Sequence, residues 1–361
     1  MKTVCIDSRM ISAPGIGTYL KNTLKRLDNK TIDIILIVSE KDLQKHTFLH
    51  NFKTIICNEK IYSIKEQLML PRIIPKCDLF WSPHFNVPIL PIKAKKRLVT
   101  IHDVFHLAFF SNFSIFEKIY AKIVYKAACL LSQTIITDSN FSKQEIIKYL
   151  KVKNEKIKVI HLGVDKELFT KETSKTIQHN LPNEYFLFVG SSKAHKNLEN
   201  LLKAFKDFNH PTIKLVIVGK FDGFINKYNI KETVAEDTFY KNSVILLEDI
   251  SDQDLSFVYQ NALSFVFPSF YEGFGFPLIE AMSSKCPVIA STKASIPEVC
   301  EDNVLYINPH DIQDISNALK RISTDKLLRE DLIKKGYERS QVFCWDKTVK
   351  KHIQVIKTLI D

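Results

Sequence analysis

Residues 263–284, "LSFVFPSFYEGFGFPLIEAMSS", decide how the chain folds. "LSFVFPS" is a short apolar run of strand type that ends in a turn. "PLIEAMSS" has helix character, with Pro277 suited to a first helical turn. The segment between them, "FYEGFGF", is then a strand-to-helix loop. The chain has only 9 glycines in 361 residues, yet Gly273 and Gly275 both stand here, between two acids. Glycine lets the backbone come close to a ligand, and amides at a helix start favour an anion such as phosphate. Glu272 lies in the loop and Glu280 about one turn into the helix, where carboxylates can accept hydrogen bonds from neutral hydroxyls. A ligand with phosphate in the middle and hydroxyls at both ends fits: a nucleotide sugar. An ordinary turn with an exposed glutamate and a helix-capping glutamate also fits this stretch taken alone.

The same strand–turn–helix alternation extends in both directions. "KTVCID" (2–7), "IDIILIVS" (32–39), "LFWSPH" (79–84), "RLVTIHDV" (97–104), "SQTIITDS" (132–139) and "IKVIHLGVD" (157–165) read as strands. After the first of them a Gly-x-Gly turn at Gly15, Ile16 and Gly17 feeds a helix with Tyr19, Leu20, Leu24 and Leu27 on one face. Residues 170–181 are polar and aperiodic, which marks a linker. The pattern then restarts with "YFLFVGSS" (185–192), "IKLVIVGK" (213–220), "SVILLEDI" (243–250), the 263–269 strand, "CPVIAST" (286–292) and "VLYINP" (304–309). Continuous apolar strands between helices mean parallel βα units covered on both faces. The expected class is therefore α/β, in two halves that each carry a parallel sheet. Ligands of such sheets bind at the carboxyl ends of the strands, and a cleft between two halves is the natural place for one.

Composition excludes several classes. The chain is 45% hydrophobic and 25% charged, as globular proteins are. No run of 18 apolar residues marks a membrane span. "MKTVCIDSRMI" has no apolar core of signal-peptide length, so a cytoplasmic protein is expected. The seven cysteines are scattered, odd in number and form no CxxC pair, which points to reduced thiols and no zinc site. A net charge of +11 suits nucleic acid, an anionic membrane surface or a phosphate-bearing substrate, and it also suits a lysine-rich proteome. No zinc finger, RNP-type strand or dense basic stripe supports a nucleic-acid partner. No GxGxxG follows a strand with an acid about 20 residues on, which disfavours a dehydrogenase.

One stretch speaks to the membrane. In "SIFEKIYAKIVYKAACLL" (114–131), Lys118, Lys122 and Lys126 recur on one helical face, with Ile115, Ile119, Ile123 and Val124 beside them. A basic amphipathic helix can lie in an anionic headgroup layer at the inner face of the plasma membrane. Equally, the apolar stripe can pack on the sheet while the lysines face water.

The Glu-x7-Glu of "EGFGFPLIE" (272–280) resembles the signature of the retaining family-4 glycosyltransferases, which have the GT-B fold. "APGIGTYLKNTL", "LFWSPHFNVP", "VTIHDVFHL", "IITDSNFSKQEI", "VIHLGVD", "FLFVGSSKAHKNLENLLKAF", "LVIVGK", "CPVIASTKASIPEV" and "FCWDKTVKKHI" follow in the family's order. Among subgroups, the chain looks most like bacterial mannosyltransferases that build surface polysaccharides.

That resemblance implies two Rossmann-like domains with parallel sheets facing a central cleft. Residues 1–168 would form the acceptor side and 169–342 the nucleotide-sugar side, with a helix at 343–361 crossing back. It implies transfer of a hexose, mannose from GDP-mannose as the best guess, with retention and without metal or cofactor. UDP- and dTDP-sugars remain alternatives. The acceptor would be a glycan or lipid-linked oligosaccharide. Lys196 would hold the diphosphate, with amides of Gly190 and Ser191 and of the Gly15–Gly17 turn. Glu272 would hold donor-sugar hydroxyls together with the amides of Phe274 and Gly275, in a loop completed by Gly273, Phe276, Pro277 and Leu278. Glu280 would hold the ribose. His102 would help position the sugar; Asp103, and Asp138 with Ser139, would line the acceptor side, with His84 and His106 as weaker candidates. His195 stands where relatives often carry arginine, so a second permanent cation is missing unless Lys220 supplies it. Lys285 stands where a glycine is common, which puts the local backbone in question. A nonhydrolysing nucleotide-sugar epimerase would share the architecture but not the Glu-x7-Glu. A catalytically dead glycan-binding paralogue would not need the intact glutamates and Lys196.

Overall fold

A computed structural model describes residues 1–27, 31–109, 113–170, 181–221 and 229–361. They fall into two compact units, Met1–Gly163 with Trp345–Asp361, and Val164–Cys344. The stretch expected as a linker, 170–181, lies outside the described residues apart from its two ends.

In the first unit, strands β1 (Thr3–Asp7), β2 (Asp33–Val38), β3 (Lys53–Ile56), β4 (Cys77–Ser82), β5 (Ala94–Thr100), β6 (Thr134–Thr137) and β7 (Ile157–Val159) form one parallel sheet in the order β3-β2-β1-β4-β5-β6-β7. Cys5 on β1 lies opposite Ile35 on β2 and Phe80 on β4, at the centre of the sheet. In the second unit, β8 (Tyr185–Val189), β9 (Lys214–Val218), β10 (Val244–Leu247), β11 (Ser264–Phe267), β12 (Val288–Ser291) and β13 (Leu305–Ile307) are also all parallel, in the order β10-β9-β8-β11-β12-β13. The expected α/β class, with one parallel sheet per half, is what the chain forms. Strand β3 was not expected. It is an edge strand of four residues with none fully buried, so it carries no apolar run to announce it.

The strand order reverses between β1 and β4 in one sheet and between β8 and β11 in the other. Parallel sheets open a crevice at the carboxyl ends of the strands where the order reverses. The chain therefore offers two such places, one per unit. Residues 8–17 and 83–84 leave the first; residues 190–196 and 268–275 leave the second.

The helix Trp345–Ile360 belongs to the first unit. At Gly163 a Cβ would meet the backbone nitrogen of Trp345 at 2.3 Å, so the two segments touch backbone to backbone and only glycine fits. Further along, the His352 ring is buried and donates from Nδ1 to Thr348 O (2.8 Å), which leaves Nε2 as an acceptor for Tyr19 OH (2.7 Å). Thr100 Oγ1 is 3.1 Å from Tyr19 OH and accepts from Trp81 Nε1 (3.0 Å). Each donor in this chain has one acceptor. Burial lowers the His352 pKa to about 4, so the ring stays neutral and the direction of the chain is fixed.

Two local expectations meet their answers here. Lys285 has φ 57°, so the backbone adopts the left-handed turn that glycine usually makes. Its Nζ lies 5.4 Å from the Tyr337 ring centroid, an attraction of about 0.5–1 kcal/mol that offsets part of the left-handed cost. The helix Ile115–Leu131 starts with a capping box between Ser114 and Glu117. It turns Ala121, Val124, Tyr125, Ala128 and Cys129 inward, while Ile115, Ile119 and Ile123 face outward. The isoleucine stripe thus does not pack on the sheet; of the apolar residues named with it, only Val124 does. No helix among the described residues is long and apolar enough to cross a membrane.

Candidate functional site

At the β8–β11 reversal the chain brings Lys196 and Glu272 together across 76 positions of sequence. Lys196 Nζ donates to both carboxylate oxygens, at 2.7 and 3.0 Å. It also lies 5.4 Å from the Phe267 ring centroid, at the end of β11. Both side chains are largely buried, at 17% and 10% exposed. Two residues that sequence reasoning did not single out hold this pair in place. Asn197 takes the left-handed conformation (φ 59°) and its Nδ2 donates to Pro268 O (3.0 Å) and Pro309 O (2.7 Å). Ser295 Oγ stands 2.9 Å from Glu272 O and 3.1 Å from Phe274 O, pinning the glycine loop from beneath. An asparagine directly after the lysine was the available signal for the first; nothing local marks the second.

Gly275 has φ 101° and precedes the helix Phe276–Ser283, with Pro277 in its first turn. A Cβ at Gly275 would come within 2.9 Å of the Leu278 side chain, so position and contact both call for glycine. Gly273 and Phe274 are buried with Glu272 in the loop, and Phe276 is half-buried. Glu280 is half-buried on that helix and accepts from Tyr259 OH at 3.3 Å. Burial, only partly relieved by that hydrogen bond, raises its pKa to about 7. Gly190 and Ser191 follow β8 and lie half-buried beside Lys196; Gly190 N donates to Val218 O at 2.9 Å.

The cations around this site are unequal. Burial, together with Lys196 and Lys193, lowers His195 to about 2, so it carries no charge. Lys220 is exposed after β9 and stands 3.4 Å from the exposed Asp249.

In the first unit the β1–β4 reversal holds a different set. Arg9 is buried; its Nε and Nη2 donate to Asp7 at 2.8 and 2.7 Å, and Nη2 also reaches Glu66 at 2.6 Å. Glu66 is fully buried and accepts from Asn86 Nδ2 and from Tyr62 N as well. Ile16, His84 and Asn86 line a small pocket beside Arg9. Gly17 sits in the first helical turn above, where a Cβ would meet Ile11 O at 2.4 Å; Gly15 precedes it with φ 70°. Neither Arg9 nor Glu66 stood out in the sequence, because 57 residues separate them.

His102 follows β5. Its Nδ1 faces Asp138 Oδ2 at 2.6 Å and its Nε2 faces Pro83 O at 3.1 Å. Pro83 O and an ionised Asp138 both accept, surroundings that favour the protonated ring. Burial works against that charge, but the Asp138 carboxylate prevails and holds the pKa above the usual histidine value. The Tyr19 ring meets His102 edge-on at 4.9 Å. Asp138 is thus the partner of His102. Ser139 caps the helix Asn140–Leu150 by accepting from Ser142 N (3.0 Å), and Asp103 accepts from Phe105 N (2.9 Å).

Two family models match side by side: Glycosyltransferase Family 4 over residues 14–168 and Glycosyl transferases group 1 over 169–339. The chain belongs to this glycosyltransferase family. It is 31% identical over 244 residues to the O-antigen chain mannosyltransferase RfbU of Salmonella typhimurium, across 68% of this chain and 64% of that protein. It is 26% identical over 292 residues to the O-antigen chain mannosyltransferase B of Escherichia coli, across 78% and 74%. Anabaena Alr3699/HepE, solved in complex with UDP and glucose, superposes with a TM-score of 0.80 at 18% identity over 99% of both chains, which shows the fold.

Proposed function

We propose that the chain transfers a hexose, mannose as the best reading, from a nucleoside-diphosphate sugar to a glycan or lipid-linked acceptor in cell-surface polysaccharide synthesis, with retention at the anomeric carbon. The observation that carries this is the Lys196–Glu272 pair at the β8–β11 reversal. Glu272 neutralises Lys196. A donor would take Lys196 for its diphosphate and leave Glu272 for sugar hydroxyls. As the bond from the anomeric carbon to phosphate oxygen breaks, charge grows on the diphosphate next to a buried ammonium, where stabilisation is strongest. The acceptor oxygen bonds the same carbon, and its proton passes to the departing phosphate. His102, held between Asp138 and Pro83 O, would help position the sugar.

A GDP-sugar is the favoured donor, because the relatives are mannosyltransferases. A UDP- or dTDP-sugar is the second reading, favoured by the fold neighbour solved with UDP and glucose. Thermal shift with GDP, UDP, dTDP and ADP, followed by nucleotide release from the matching sugars in EDTA, tests the proposal. One nucleotide should stabilise the protein and its sugar should turn over without added metal. Stabilisation by none of the four rejects the donor site, and activity restored only by manganese rejects the metal-free mechanism.

The two glutamates should separate in calorimetry. Glu280→Ala is expected to weaken free nucleoside diphosphate, whereas Glu272→Ala should weaken mainly the sugar-bearing donor. Ribose hydroxyls donating to Glu280 favour its charged form, whose pKa begins near 7. Binding should therefore release a proton and tighten as pH rises from about 6 to 8. Glu280→Gln removes that share, while titration of the ligand's own phosphate stays common to both proteins. Equal losses for both alanine variants with both ligands would refute the division.

A further inference from the structure

Tyr62 has a backbone that tyrosine seldom adopts. Its φ is 69°, in the left-handed region that favours glycine, asparagine and aspartate. The residue is also 47% exposed, so the core does not demand an aromatic ring there. The conformation is imposed from beneath. Ser63 Oγ caps the helix Ile64–Ile73 by accepting from Glu66 N (3.1 Å). The Glu66 carboxylate, already paired with Arg9 and Asn86, reaches back and accepts from Tyr62 N (2.8 Å). Strain held in place by a buried network, at an exposed aromatic residue, points to a use outside the fold.

The ring is propped in one orientation. It lies at 28° to Phe85, with centroids 6.1 Å apart, and Phe85 in turn stacks on buried Tyr125 at 4.0 Å. Tyr120 and His84 meet the Tyr62 ring edge-on, at 6.2 and 5.8 Å. The hydroxyl is aimed by a short chain of hydrogen bonds. Asn86 N donates to His84 Nδ1 at 3.3 Å, so that nitrogen is an acceptor. Burial, with His102 and His106 nearby, keeps the His84 ring neutral. Its proton is then on Nε2, which donates to Tyr62 Oη at 3.3 Å. The tyrosine's own O–H has no acceptor among the described residues and is left to donate outward. Ile61 and His84 line the small pocket beside Arg9, so Tyr62 stands at the rim of the β1–β4 reversal.

A transferase needs places for two substrates, and the chain has two strand-order reversals. The Lys196–Glu272 pair occupies one of them. We propose that Tyr62, at the other, selects the acceptor: a terminal pyranose lays its C–H face on the exposed side of the ring, and one of its hydroxyl oxygens accepts the Tyr62 O–H. A pyranose matches both features, because its face is apolar and its rim carries oxygens. A lipid chain would use the ring and strand the hydroxyl. This assignment rests on the glycosyl-transfer reading and names a contact within it.

Saturation-transfer NMR of the full chain tests it without donor. The probes are the methyl glycosides of mannose, glucose and N-acetylglucosamine, and an α-linked mannotriose. At least one should bind. Tyr62→Phe keeps the ring and should weaken that binding by about fivefold, the loss of one hydrogen bond, at an unchanged unfolding midpoint. Tyr62→Asn keeps the left-handed backbone but removes the ring, and should weaken binding by about tenfold or more. Both variants should keep the native calorimetric affinity for nucleoside diphosphate. A chain that binds no nucleotide yet still binds a saccharide through Tyr62 would fail the donor reading and support this one. Three results overturn the proposal: no binding of any of the four saccharides, binding indifferent to both substitutions, or a loss of nucleotide affinity in Tyr62→Asn as large as the loss of saccharide, which would make the ring a platform for the nucleobase.

Discussion

Lys196→Ala should lower the turnover number by about 100-fold or more while the protein stays folded. The ammonium lies 2.7 Å from a Glu272 carboxylate oxygen. In the proposed reaction its partner would be the leaving diphosphate, whose charge is largest in the transition state, so the loss should appear in kcat more than in donor affinity. The substitution also leaves the largely buried Glu272 carboxylate without its cation, which should lower stability by about 1.5 kcal/mol, the lower end for a hydrogen-bonded charge. Adding Glu272→Gln to Lys196→Ala separates the two effects. The double variant should regain stability and remain inactive. Near-native turnover in folded Lys196→Ala would remove the lysine from the mechanism.

Arg9→Met should be the most destabilising single change, at about 3–5 kcal/mol. Methionine fills the volume but leaves Asp7 and the fully buried Glu66 without a cation. Against a total stability of about 5–15 kcal/mol for a domain, that loss is visible as a large fall in the urea midpoint at unchanged slope. Glu66→Gln in the same chain should recover part of it, because one stranded charge is gone and Asn86 and Tyr62 N keep an acceptor. A shift under 1 kcal/mol for Arg9→Met would mean that water or a rearranged partner reaches both carboxylates.

Sequence alone disclosed much of this molecule, for reasons that can be named. The strands of a doubly covered sheet must be apolar throughout, so runs such as "YFLFV" and "KLVIV" announce themselves. Glu272 was legible because it sits beside two glycines in a strand-to-helix loop whose residues the backbone itself constrains, whereas Lys196 was named only through the family resemblance. The pairings Arg9–Glu66 and Tyr19–His352 were not legible, because they span 57 and 333 positions and no periodicity links them. The 115–131 helix marks a different limit. Its hydropathy is high on both sides, so the pattern showed a stripe without showing which face meets the sheet. Packing chose the side with Ala121 and Ala128, where small residues let the helix approach closely, and left the isoleucines outside. Edge strand β3 escaped because an edge needs no apolar run.

The hydrogen-bond chain from Trp81 through Thr100 and Tyr19 to His352 has a consequence for biosynthesis. The first unit lacks its last helix until every residue of the second has been translated, because Val164–Cys344 lies between Gly163 and Trp345. At about 5–20 residues per second, that interval lasts roughly 10–35 s. Throughout it Tyr19 OH waits without its acceptor, and the face of β4 and β5 that takes the helix is bare. The first unit to emerge from the ribosome is thus the last to be finished, and a nascent chain is most open to chaperones at its oldest end.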